Sequence, residues 1–157
     1  MLKPAAPIFN LPAIRKPVQV QPVEQAPFKT LPAKFLIGDK LVATNADGLI
    51  SLTDLWKAAG GELKDRPKNW IRSAGPRDFI NHLAAKSGGP KTALIHVKHG
   101  VGTFAHWQIA LAYAKWLSPE LHMQVNEVFM RYKTGDATLA EEVIDKVAAI
   151  YLLKLFN

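Results

Sequence analysis

TALIHVKHGVGTFA, residues 92–105, is the stretch on which the fold turns. Before it, apolar residues recur at helical spacing. Here the period drops to two, with Ala93, Ile95 and Val97 alternating against Thr92, His96 and Lys98. Successive side chains of a strand point to opposite faces, so the run reads as a strand. Gly100 and Gly102 supply a loop, and Thr103, Phe104 and Ala105 return as a second strand. The expectation is a β-hairpin with a glycine-rich tip.

Immediately upstream, residues 62–87 read as helix in two pieces, about Arg66 to Ser73 and Pro76 to Lys86, with Gly75-Pro76 as the break. Trp70 and Ile71 anchor the first piece; Phe79, Ile80 and Leu83 anchor the second. Further back, residues 35–37 and 41–43 read as two short strands around Gly38-Asp39, and NADG at 45–48 as another turn. Ser51 suits a helix N-cap with Asp54 three residues on, and Leu52, Leu55, Trp56 and Ala59 form an inward face stopped by Gly60-Gly61. Downstream, His106 to Leu117 is apolar nearly all round, as a central buried helix would be. Ser118-Pro119-Glu120 starts the next helix, with the stripe Leu121, Val125, Val128, Phe129 and Tyr132, and Gly135 ends it. Thr138 with Glu141 fits a capping box for a last amphipathic helix carrying Leu139, Val143, Val147, Ile150 and Tyr151.

Residues 1–33 differ in kind. They hold seven of the eleven prolines, six of them at five-residue intervals from Pro7 to Pro32, and should form an extended or disordered tail. Ile8, Phe9, Ile14, Val18 and Phe28 between the prolines make this tail a candidate ligand for a protein partner's groove. Three parts follow: the tail at 1–33, one α+β domain at 34–134, and the C-terminal amphipathic helix at 135–157. A chain of 157 residues that is 48% apolar can bury one proper core.

The net charge is +7, which favours a polyanionic partner; ribosomal, nucleic-acid and membrane-surface proteins share that bias. Residues 57–100 alone contain nine basic and three acidic side chains. The excess therefore sits on the two short helices and the hairpin, the winged-helix way of gripping DNA. Lys68 and Arg72, four apart, share a helix face and leave Trp70 and Ile71 to the interior. Arginine can bond guanine edges in pairs, whereas lysine neutralises phosphate. Asn69 and Ser73 add polar contacts.

Several chemistries are not expected. The chain has no cysteine, which excludes disulfides, thiolate zinc sites and thiol catalysis. His82, His96, His99, His106 and His122 lack the spacing and the nearby carboxylates of a metal site. The serines and threonines lie at caps and turns without a nucleophile motif, and there is no phosphate loop or dinucleotide fingerprint. No enzyme activity, cofactor or metal is expected. No run approaches a membrane span, so the expected compartment is the cytoplasm.

Four segments carry a specific resemblance: NADGLISLTDLWKAAG at 45–60, NWIR at 69–72, GTFAH at 102–106 and AKWLSPE at 114–120. In order and spacing they resemble the KilA-N domain of phage and bacterial proteins, over roughly residues 38–132. The resemblance implies a small winged-helix-like DNA-binding fold related to the fungal APSES-type transcription factors, with short helices, a β-hairpin wing and C-terminal helices. It implies a DNA surface on the Arg66 to Arg72 helix, with Arg77 nearby and the wing from Lys91 to Gly102, and structural roles for Trp70, Trp107 and Trp116. Phe104 stands where the family usually has Trp, and Trp107 where it often has Pro; both departures concern packing, since neither is a charged contact.

The resulting expectation is a double-stranded DNA-binding protein, a phage or prophage transcriptional regulator or accessory factor in a bacterial or phage-infected cell. Its contacts would come from Lys64, Arg66, Lys68, Asn69, Arg72, Ser73, Arg77, Lys91, His96, Lys98 and His99. The rival readings are a protein–protein adaptor of antirepressor type, acting through the tail or the final helix, and an RNA-binding module. Single-strand readers expose aromatic platforms, and here the aromatics fall at core periods. The final helix is also a candidate homodimer surface.

Overall fold

The computed structural model describes residues 33–37 and 40–155; the tail read over 1–33, apart from Ala33, and the Gly38-Asp39 turn lie outside them. β1 (Lys34–Ile37) and β2 (Lys40–Ala43) pair antiparallel, Lys34 opposite Ala43. The chain then turns on Asn45, whose Oδ1 accepts from the backbone N–H of Asp47 at 3.0 Å and of Leu49 at 2.9 Å. Gly48 follows at φ +75°, a conformation that costs glycine little. β3 (Ile50–Ser51) runs directly into α1 (Leu52–Ala58). The Ser51 hydroxyl caps that helix by accepting from Asp54 N–H at 3.1 Å, as its position predicts. Asp54 Oδ2 in turn accepts from Ala43 N–H at 3.1 Å and ties β2 to the helix.

A single 3-10 turn (Leu63–Asp65) leads to α2 (Pro67–Arg72) and α3 (Ala74–Ser87). The break falls at Ser73, not at Gly75-Pro76. Pro76 occupies the first turn of α3, where its missing N–H costs nothing, and Arg77 N–H reaches back to the Ser73 carbonyl at 3.0 Å. The expected strand from Thr92 begins later: Lys91–Leu94 forms a helical turn, α4, after Pro90. Ala93 N–H bonds the Pro90 carbonyl at 3.0 Å, and that local bond wins over the alternating pattern. β4 (Ile95–Lys98) and β5 (Gly102–Ala105) then form the antiparallel hairpin, and β3 completes a sheet in the order β3-β5-β4.

α5 (Trp107–Leu117) is the central helix. Ile109, Ala110, Tyr113 and Ala114 are buried against Val42, Ile50, Leu52, Leu55, Trp70, Ile80, Leu83, Leu94 and Ala105. Fully burying aliphatic side chains such as Leu52 and Ile109 contributes about 1.5–3 kcal/mol each. Trp107 is partly buried against this core, while Trp116 is 50% exposed and stacks on Tyr113 with ring centroids 6.1 Å apart. The fold is a mixed α+β domain.

α6 (Pro119–Lys133) is capped by Ser118, whose hydroxyl accepts from Leu121 N–H at 3.2 Å; Leu121 packs on the core, but no residue of α6 is fully buried. The start of α7 (Ala137–Leu155) differs from the expected Thr138–Glu141 box, because Asp136 is the cap. Its Oδ1 accepts from Thr138 N–H at 2.9 Å and from the Thr138 hydroxyl at 2.6 Å. Arg131 Nε donates to Asp136 Oδ2 at 2.7 Å, and its two terminal nitrogens grip Glu142 at 2.7 and 3.1 Å. The Thr138 and Arg131 bonds hold the Asp136 carboxyl down at about 2. Among the described residues, no helix is long and apolar enough to cross a membrane.

Candidate nucleic-acid interface

The hairpin is held to the body by a residue that sequence patterning passed over. Thr53 on α1 presents its hydroxyl to Thr103 N–H at 2.9 Å. Gly102 makes that approach feasible: a Cβ built there would lie 2.6 Å from Thr53 Oγ1, and its φ of +150° disfavours other residues. The glycine in the tip signals a close approach, but its partner fifty residues away is not readable from spacing. Beyond this clamp the hairpin stands clear of the core. Ile95 and Ala105 pair at its buried root, while Val97, expected on the same face as Ile95, is 77% exposed.

Between the hairpin and the helices lies an open groove. Trp56, Arg66, Val97, Lys98, His99 and the glycine-rich tip line it. Trp56 was expected to face the core, yet it is only partly buried. Its indole Nε1 donates to the Glu62 carbonyl at 2.7 Å, and the Arg66 guanidinium lies 5.4 Å from its ring centroid. A cation over an indole face gains about 0.5–1 kcal/mol at an exposed site. The arginine is thereby held at the mouth of the groove, opposite Lys98 and His99. Three of the eleven expected contact residues meet here.

The other eight are distributed around it. Lys64 lies exposed on the 3-10 turn, Lys68 and Arg72 are exposed on α2, and Lys91 is exposed on α4, before the hairpin begins. Asn69 and Ser73 have structural duties. The Asn69 Nδ2 donates to the Leu63 and Lys64 carbonyls at 3.1 and 3.3 Å, and the Ser73 hydroxyl donates to the Trp70 carbonyl at 2.6 Å. Arg77 lies 4.0 Å from Asp78 in an exposed pair. His96 lies 3.5 Å from Asp47, a carboxylate of the Asn45 turn that sequence reasoning did not connect with the hairpin. Among the described residues, no group of three or more His, Asp or Glu is placed to hold a metal ion.

Trp70 positions α2. Its ring packs 5.0 Å from that of Tyr113, and the Tyr113 hydroxyl donates to the Asp65 carbonyl at the end of the 3-10 turn. Burial, with Asp65 adding to it, pushes that hydroxyl above the usual tyrosine range.

His106 joins the hairpin to α5. Its backbone N–H donates to the Leu94 carbonyl at 2.8 Å, and its Nδ1 accepts from Gln108 N–H at 3.3 Å, capping the helix. Burial lowers its pKa below the ordinary 6.5, because protonation would charge a partly buried ring. A lowered folded pKa means stability fully present above 6.5 and lost as pH falls through the depressed value. Thermal melts between pH 7.5 and 5, at about half-unit steps, should therefore show a loss that His106→Asn, which caps without titrating, reduces. Parallel pH profiles for the two proteins would assign the loss elsewhere.

The family model described as "KilA-N domain" matches residues 34–135. "Protein kilA" of Escherichia phage P1 is 31% identical over 95 residues, which is 60% of this chain and 35% of that protein. The chain thus spans about a third of the length of the curated relative it matches. No solved structure matches the chain significantly.

Proposed function

Since the chain belongs to the KilA-N domain family, we propose that it is a double-stranded DNA-binding protein of phage or prophage type that works by binding, without catalysis, in regulating transcription or assisting it. The observation that carries this reading is the groove in which Arg66, seated on Trp56, faces Lys98 and His99 of the hairpin. Its charged lining residues, Arg66 and Lys98, belong to the 57–100 segment that holds nine basic and three acidic residues. The basic face would draw in the duplex by counterion release. α2 would enter or border the major groove, and the hairpin would lie along the backbone or in the minor groove.

Fluorescence anisotropy against random duplex DNA, single-stranded DNA and RNA, across a salt series, tests the reading. The duplex is expected to bind most tightly. About five phosphate contacts would give a slope of roughly −4 to −5 in log K against log salt. Tighter binding to RNA would transfer the function to RNA. Absence of binding at low salt would reduce the basic face to a solvated surface.

A further inference from the structure

The tip of the β4–β5 hairpin exposes apolar side chains among basic ones. Val97 is 77% and Val101 55% exposed, and both line the groove that Arg66 and Lys98 border. A lone exposed valine is ordinary on any surface. Here two stand on one hairpin, beside the exposed Lys98 and His99 and on the side that faces Arg66. The backbone fixes their place. Val101 N–H closes a turn onto the Lys98 carbonyl at 3.1 Å, with Gly100 at φ +74° in its third position, and Gly102 sits behind them against Thr53. The two glycines keep the tip slender: between Lys98 and Thr103 the only side chains are those of His99 and Val101.

We propose that this tip enters the minor groove of the duplex and that Val101 selects A·T over G·C base pairs there, an inference that rests on the DNA-binding reading above. A hairpin running along the backbone would set the valines against hydrated phosphates, where apolar surface gains nothing. The minor groove, about 6 Å wide, admits a chain with two glycines at its end, and its sugar walls and base edges offer the valines apolar contact. Lys98 and His99 then lie beside the phosphates that rim the groove. Selectivity follows from one chemical group. In the minor groove A·T and T·A pairs show only acceptors, whereas G·C adds the guanine N2 amine, a donor that stands into the groove. A valine over that amine strips its water and offers no acceptor, and the tip carries no carboxylate or amide side chain to replace it. The narrower and more negative groove of A·T tracts also favours the lysine beside it.

Inosine is guanosine without that amine, so an inosine–cytosine pair keeps the major-groove pattern of G·C and shows the minor-groove pattern of A·T. The full chain is titrated by anisotropy against alternating I-C and G-C duplexes of equal length at one salt concentration. The I-C duplex should bind at least about 5-fold more tightly, the lower end of what an unsatisfied donor costs. Val101→Thr keeps the shape of the side chain but supplies a hydroxyl that accepts from the amine, and it should shrink the gap to about 2-fold or less with an unchanged thermal melt. Equal affinity of the native chain for the two duplexes, or a gap that survives Val101→Thr, would overturn the proposal while leaving DNA binding intact. Absence of binding to either duplex would overturn the DNA-binding reading and this inference with it.

Discussion

Replacing Trp70 with alanine should unfold the domain at temperatures where the native chain is stable, with a loss of about 3–5 kcal/mol. The indole is 5% exposed, packs against Tyr113, and joins the core cluster that α5 organises. Its removal leaves a cavity between α2 and α5 that neighbouring Ile80 and Leu83 on α3 can fill only in part. A small domain has about 5–15 kcal/mol of total stability, so the loss takes a large share of it. At 4–8 °C per kcal/mol the melting temperature should fall by at least about 12 °C. Trp70→Phe, which keeps a ring beside Tyr113, should lose much less. Circular dichroism melts of both variants check the claim; a shift of only a few degrees for the alanine variant would mean that α2 is not anchored by this residue.

How much of this was legible in the sequence depends on the range of the interaction that decides each feature. The Asn45 turn, the Ser51 cap and the hairpin are local, set by bonds within a few residues, and they stand where the pattern puts them. The KilA-N motifs carried the family, and the family model confirms it over residues 34–135. Boundaries failed where two local signals competed. Thr92 and Ala93 fit the alternation of a strand, but the bond from Ala93 to Pro90 makes them helical. Asp136 displaced Thr138 as a cap because Arg131 holds it from the preceding helix.

The interface was legible in composition more than in geometry. Basic residues over 57–100 identified the region, but which of them meet depends on tertiary contacts. Thr53 on Thr103, Trp56 under Arg66 and Asp47 beside His96 join residues from 10 to 50 positions apart. No periodicity encodes such pairs. Asn69 and Ser73 show the converse. Polar residues on a short basic helix read as contacts, and the structure finds them also bonded to backbone carbonyls.

Those contacts lead to the second large effect, in DNA binding. Arg66→Ala should weaken binding to a selected target about 5–150-fold, a loss of roughly 1–3 kcal/mol, and should flatten sequence preference. Its guanidinium rests on Trp56, so less side-chain freedom remains to be lost when it docks, and directional hydrogen bonds to a base edge become feasible. Lys98→Ala removes a point charge from the opposite wall of the groove. It should weaken all duplexes alike and reduce the salt slope by about 0.9. Arg72→Ala, on the exposed end of α2, should follow Arg66, while Arg77→Ala should do less because Asp78 already balances part of its charge. Trp56→Leu, which keeps an apolar side chain but removes the platform, should reproduce part of the Arg66 loss with the charge intact. Anisotropy titrations of each variant against the selected site and a scrambled duplex separate the two roles. Equal losses on both duplexes for Arg66, Arg72 and Lys98 would mean that the groove senses only phosphate, and specificity would then have to come from the deformability of the DNA.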